Sequence, residues 1–311
     1  VRGKRVSAHT LNRDSFLGRE YLFNMPQVKR TTIPNYNAKQ LKTHYNMNHH
    51  KRGVALIFNH KTFMLPNVST RNGTEKDRDK LKSVLTNLGF QVKVKNEATY
   101  GEISNIIQAT AKMDHSRNDC LVISVLTHGE SGRLYANDTI YNLRKLWCYF
   151  TDQNCPSLAG KPKIFIIQAC RGETLDDGIR VYTDGPSKQS ETPTNPDFLL
   201  AYATPPEHFA WRNQRNGSWF VQSLCDILAD FGTEKHILEL LTMVCHKVAM
   251  EYESHMPDDI DFHEKKEMPS YQNANYDGYY CWYIFYRYHA KSACDHNQCN
   301  STETSCNNYV L

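Results

Sequence analysis

Cys170 stands in the run Gln168-Ala169-Cys170-Arg171-Gly172, and His128 stands in Thr127-His128-Gly129, 42 positions earlier. A cysteine thiol is a latent nucleophile. Its thiolate is the attacking form, so it needs a base to take the proton and donors to hold the oxyanion that attack on a carbonyl creates. An imidazole, which changes charge near neutral pH, suits the first task. Gly129 leaves a backbone N–H unobstructed for the second, and Gly172 permits a sharp turn after the nucleophile. Taken singly, a Cys is more often a buried apolar residue and a His a satisfied polar one. What raises this pair is that each follows directly on an apolar strand.

Those strands are part of an alternating pattern. Residues 120–126 and 163–168 are apolar on both faces, which suits the centre of a parallel sheet, and open α/β sheets build their sites beyond the carboxyl ends of such strands. Residues 54–58 read as a buried strand and 90–94 alternate at period two. Between them, 74–88 place Leu81, Val84, Leu85 and Leu88 on one helical face, with Thr74 and Asp77 at capping-box spacing and Gly89 as the stop. That β-α-β unit implies a parallel pair with a right-handed crossover. Further helices are expected near 101–111, 143–150, 218–231 and 236–252, a strand at 198–203, and a Tyr-rich strand at 279–288. The polar stretch 173–197 reads as an exposed connection.

The composition is that of a soluble globular chain: 311 residues, 40% hydrophobic, 23% charged, with no apolar run near the roughly 20 residues of a membrane span. No membrane partner is expected. The first 52 residues hold 11 Lys/Arg against two Asp/Glu, and the rest hold 26 against 31. A solvated basic arm therefore precedes an acidic body, and without stacking aromatics the arm is not read as a nucleic-acid site. Ten irregularly spaced Cys, with no apolar leader behind Val1, point to a reducing compartment, the cytoplasm by default.

The Gln168 to Gly172 run, with a His about 50 residues upstream, resembles the signature of the caspases, the Asp-specific cysteine endopeptidases. Further motifs are similar to the short-prodomain executioner members of that family: Ser69-Thr-Arg-Asn-Gly-Thr74, Ser124-Val-Leu-Thr-His-Gly-Glu130, Gly160-Lys-Pro-Lys163, Trp211-Arg-Asn213 and Gly217-Ser-Trp-Phe220. The resemblance runs from about Lys51 to Pro269. It implies an α/β fold of three α/β/α layers around a mostly parallel six-stranded sheet, formed by a large and a small subunit cut from one precursor. It also implies that Cys170 attacks the peptide carbonyl, that His128 moves the protons with the Ser69 carbonyl orienting it, and that the N–H groups of Gly129 and Cys170 hold the oxyanion.

A substrate Asp needs charge-assisted donors in a desolvated pocket, and Arg offers a planar fork that Lys lacks. The positions matching the family's pocket are Arg71, Gln168 and Arg212. Those matching its groove are Phe209, Trp211, Asn213 and Trp219. Paired Arg71 and Arg212 would repel a cationic side chain, which argues against the related basic-specific peptidases. The loop 255–261, His-Met-Pro-Asp-Asp-Ile-Asp, departs from the Phe residues that executioner members use at the fourth subsite.

Asp184 before Gly185, inside the exposed connection, is the expected activating cut. The chain then divides into a basic arm (1–50), a large subunit with linker (51–184), a small subunit (185–270) and a divergent tail (271–311). Within the arm, Asp14-Ser15 is the one acidic-small junction for a second cut. Expected partners are proteins with Asp sites, an upstream activating caspase, inhibitor-of-apoptosis proteins, and a second large/small pair as a homodimer, against which the altered tail weighs. That tail also leaves open a catalytically silent decoy that binds a partner caspase. Cys281, Cys294, Cys299 and Cys306 with His289 and His296 match no zinc spacing, so neither a metal nor a cofactor is expected. The remaining body cysteines are read as buried apolar positions.

Overall fold

The computed structural model of the chain describes residues 45–176 and 197–273. Asp14, Asp184, the 279–288 strand candidate and the Cys/His residues of the tail lie outside the described residues. In chain order the elements are β1 (Lys51–Asn59), α1 (Thr74–Asn87), β2 (Gln91–Asn96), α2 (Tyr100–Ala111), β3 (Asn118–Leu126), β4 (Gly129–Glu130), β5 (Arg133–Tyr135) and β6 (Ile140–Asn142). After them come β7 (Lys163–Gln168), β8 (Phe198–Tyr202), β9 (Arg212–Asn213), β10 (Gly217–Ser218), α3 (Trp219–Phe231), α4 (Ile237–Glu251) and β11 (Ser270–Asn273).

Six strands form one sheet in the order β11-β8-β7-β3-β1-β2, with every neighbouring pair parallel except β11 on β8. The period-two alternation of the strands splits their side chains between two cores. Ala55, Ile57, Val122, Ile164 and Leu199 join Leu81 and Leu85 of α1, Leu224 of α3 and Leu240 of α4 on one face. Val54, Leu56, Phe58, Ile123, Phe165 and Leu200 join Ile103 and Ile107 of α2 on the other. The result is three layers, with β1, β3, β7 and β8 dry on both sides. The strand order reverses between β1 and β3, so the crevice at their carboxyl ends is the topological switch point.

Four expectations are corrected. Thr74 and Asp77 form no capping box. The N-cap is Gly73, at φ 87, while Thr74 Oγ1 donates to Asn59 Oδ1 (2.7 Å) and Asp77 is turned toward α3. A box does close one helix later, at Thr99 and Glu102. Residues 143–150 form a short 3-10 turn at Leu143–Leu146 followed by further turns, rather than a helix. Their helix-like spacing serves instead to lay Leu146, Trp147 and Phe150 one after another onto the sheet face. β11 spans the expected 270/271 boundary, so the sheet edge continues into the segment assigned to the tail. Of the body cysteines, Cys120, Cys155 and Cys225 are buried as expected, but Cys148 and Cys245 are only half-buried.

Among the described residues no helix is long and apolar enough to cross a membrane.

Candidate active site

Parallel pairing of β3 with β7 in the register Leu126↔Gln168 sets their carboxyl ends side by side. The pairing continues one step further, where Thr127 N–H donates to the Gln168 carbonyl at 3.0 Å. His128 and Cys170 therefore leave adjoining strands at the same level. Gly129 closes the gap: a Cβ there would lie 2.7 Å from the Cys170 carbonyl oxygen and 3.0 Å from Ala169 Cβ. No larger residue fits between the two strand ends without moving one of them.

The segment after Cys170 is held against residues 207–210. Arg171 N–H donates to His208 O, Glu207 N–H to Arg171 O, and Phe209 N–H to Thr174 O. A Cβ at Gly172 would meet the Glu207 backbone at 2.4 Å. The same segment brings Ala210 N–H to 3.4 Å from the half-buried Cys170 Sγ.

His128 Nε2 lies 2.8 Å from the Ser69 carbonyl. A carbonyl only accepts, so that nitrogen carries the ring's proton, and in the neutral imidazole Nδ1 is left as the basic atom. The ring is walled by Phe63, with centroids 5.1 Å apart, and by Tyr135 at 6.1 Å. Burial drives the His128 pKa down; the Ser69 contact opposes this, the charges of Arg71 and Arg212 add to it, and it settles at about 4. Burial likewise pushes the Cys170 thiol up, offset in part by Ala210 N–H, reinforced by Glu267, and opposed again by the two Arg charges. Both groups are thus neutral in the free enzyme near pH 7.

Arg71 is 1% exposed. Its Nη1 donates to His60 O and to Thr74 Oγ1, each at 2.8 Å, while its Nε has no partner among the described residues. Burial, then repulsion from Arg212, lowers its pKa to about 9. Gln168 is buried with Oε1 unpartnered. Arg212 is half-buried, and its Nε donates to Asn72 O at 2.9 Å. The charges of both guanidinium groups therefore act on Cys170, and Arg71 Nε and Gln168 Oε1 are buried polar atoms left without a partner among the described residues. That is a site for a small anion.

Phe209, Trp211 and Trp219 belong to a chain of rings. Trp211 stacks on Trp219 at 5.4 Å, Trp219 meets Tyr252 at 5.5 Å, and Phe262 stands edge-on to Phe209 and Trp211 at 6.1 and 6.2 Å. Trp219 is buried to 8% exposure, so it serves the core as much as the groove. Asn213 is exposed, but its Oδ1 already accepts from Arg215 and Asn216 N–H, which leaves only its amide nitrogen for a ligand. Reading the sequence missed Phe262, which follows the divergent loop and returns an aromatic ring to the groove, and Phe63. It also missed Asp77, which accepts from Ser218 N–H and Gln222 Nε2 and so ties α1 to the start of α3. Only the position of Phe262, after the acidic run Asp258-Asp259-Ile260-Asp261, could have hinted at its return.

Among the described residues no group of three or more His, Cys, Asp or Glu side chains is placed to hold a metal ion.

Two expected outcomes follow from this geometry. Gly129→Ala must push Cys170 away from its donors, and kcat for a peptide substrate should fall by ~10²-fold with thermal unfolding little changed; an active Gly129→Ala enzyme would contradict the packing. The neutral resting pair predicts that alkylation of Cys170 by iodoacetamide, followed on its own peptide by mass spectrometry, rises about tenfold per pH unit from pH 6 to 8. A rate already level between pH 5 and 7 would indicate a preformed thiolate–imidazolium pair.

The Caspase domain family matches residues 52–280, beyond the Pro269 at which the motif resemblance ends. Over 230 residues the chain is 52% identical to Caspase-1 of Spodoptera frugiperda, covering 73% of this chain and 77% of that protein. It is 47% identical over 231 residues to Caspase drICE of Drosophila melanogaster, covering 72% and 68%, and 39% identical over 232 residues to Caspase-3 of Bos taurus, covering 74% and 84%. The crystal structure of Caspase-1 from Spodoptera frugiperda matches with a TM-score of 0.69 at 49% identity, covering 75% of this chain and 92% of that one. A match of this extent over both strand ends and the residues around them makes the chain a member of the caspase family, a cysteine-type endopeptidase.

Proposed function

We propose that the chain cleaves proteins after Asp as an executioner of apoptosis, made as a zymogen and activated by a cut after Asp184. The observation that carries the specificity is the fully buried Arg71, whose Nε has no partner among the described residues and whose charge, like that of Arg212, acts on Cys170, together with a buried, unpartnered Gln168 Oε1 two residues before the sulfur. A substrate carboxylate supplies the charge this pocket lacks, and Gln168 Oε1 is left to accept from the substrate backbone. Trp211, Phe209, Phe262 and Trp219 line the apolar subsites ahead of it, with Asn213 at their rim.

In the reaction His128 Nδ1 takes the Cys170 proton as the sulfur bonds to the carbonyl carbon of the substrate Asp. The carbonyl oxygen becomes an oxyanion held by the N–H groups of Gly129 and Cys170. Collapse breaks the C–N bond, and the imidazolium gives its proton to the leaving amine. Water, deprotonated by the same imidazole, then hydrolyses the thioester and restores the thiol. Pairing of two units through the sheet edge at β11 would place two such sites in one homodimer, acting downstream of an activating caspase and open to inhibitor-of-apoptosis proteins.

The test is a positional peptide library presented to the protein after cleavage at Asp184. Asp peptides should be turned over, with the matched Asn peptides slower by on the order of 10³-fold, and Asp184→Ala should block conversion to two subunits by the activating protease. Equal cleavage after Asn, or after Arg, would overturn the specificity. An Asp184→Ala chain cut at the same bond would overturn the activation site. Absence of any turnover, with no reaction of Cys170 with an Asp-directed label, would favour the decoy.

A further inference from the structure

Glu267 belongs to the run Lys265-Lys266-Glu267, which in the sequence has the look of a solvated charged stretch. In the structure it is 1% exposed. Oε2 accepts a hydrogen bond from Trp211 N–H, and Oε1 has no partner among the described residues. Burying a carboxyl that makes one hydrogen bond is costly, and such a group calls for a reason. Burial holds the Glu267 pKa well above the carboxylate range, against the Trp211 bond and with the help of the nearby Asp77 charge.

The residue it holds is the reason. Trp211 lies between Ala210, whose N–H reaches the Cys170 sulfur, and Arg212, whose guanidinium is held by the Asn72 carbonyl and whose charge acts on that sulfur. The far end of the same hairpin is fixed by a second buried carboxyl, since both Asp77 oxygens accept from Ser218 N–H at 2.9 and 3.1 Å. Across the turn the backbone is pressed against Gly73, where a Cβ would lie 2.6–2.7 Å from the carbonyl oxygens of Gln214 and Asn213. The base on which Glu267 stands is itself anchored: Lys266 N–H donates to Asp176 O, Lys265 N–H to Ser254 Oγ, and Lys266 Nζ pairs with Glu253 at 2.9 Å.

We infer that Glu267 is a positioning residue for substrate binding, an acceptor that pins the backbone of Trp211 and so sets where Arg212 and the groove face the substrate. Resting on the Asp-peptidase reading above, this adds a residue that touches neither substrate nor sulfur. Of the two ends of the hairpin, the one nearer the sulfur depends on Glu267.

The test compares three substitutions in the protein cleaved after Asp184, using one Asp peptide. Glu267→Gln keeps an acceptor oxygen at the same reach, so KM should stay within about twofold of the parent. Glu267→Asp draws the oxygens back by one methylene, and Glu267→Leu removes them; each should raise KM about tenfold while kcat falls less than threefold. Rescue by Gln but not by Asp separates a hydrogen bond of fixed length from a mere need for polarity, and it holds even if the Leu protein fails to fold. An unchanged KM in Glu267→Asp, or a Glu267→Gln protein as impaired as Glu267→Asp, would overturn the inference. Failure of the unsubstituted protein to cleave the peptide would instead overturn the reading on which it rests.

Discussion

The pairing of β3 with β7 is the constraint on which the site depends. Two parallel strands in the register Leu126↔Gln168 deliver a histidine and a cysteine to the same level at the carboxyl end of the sheet. Because strand side chains alternate with period two, a slip of one residue would turn the buried Ile123, Val125, Ile164 and Ile166 to the wrong cores as well as separating the pair. The apolar layers thus hold the register, and the register holds the chemistry. Gly129 and Gly172 follow as consequences, since each stands where another backbone passes too close for a Cβ.

Desolvation sets the electrostatics. Arg71 and Arg212 are placed near the sulfur with Asp77 as a buried counter-charge, and their combined field, added to burial, keeps His128 neutral. The free site is therefore short of negative charge, and its orphaned polar atoms are already in position. In the proposed reaction an incoming carboxylate would meet donors already in place, with little reorganisation left for the chemical step.

The elements of the catalytic body were legible in the sequence because they are long and strongly patterned: the strands around 54–58, 120–126 and 163–168, the helices after 74, 100, 218 and 236, and the two strand-end motifs. Contacts between segments far apart in the chain were not. Nothing local shows that Asp77 leaves its own helix to hold Ser218, that Glu267 turns inward beneath Trp211, or that Phe262 comes back to Phe209 after a polar loop. The helix expected at 143–150 failed for a related reason, since apolar spacing of three and four serves successive turns packed on a sheet as well as it serves a helix. Short pairs such as β4–β5 and β9–β10 carry too few residues for any periodicity to register.

The most direct measurement of the central claim is covalent labelling with a peptidyl Asp electrophilic ketone, followed by peptide mapping. One label per chain on the Cys170 sulfur, lost when Cys170 is replaced by Ala and slowed when Arg71 is replaced by Lys, is the predicted result. A label carried by another cysteine, or one that attaches equally well when the ketone bears Asn in place of Asp, would contradict it.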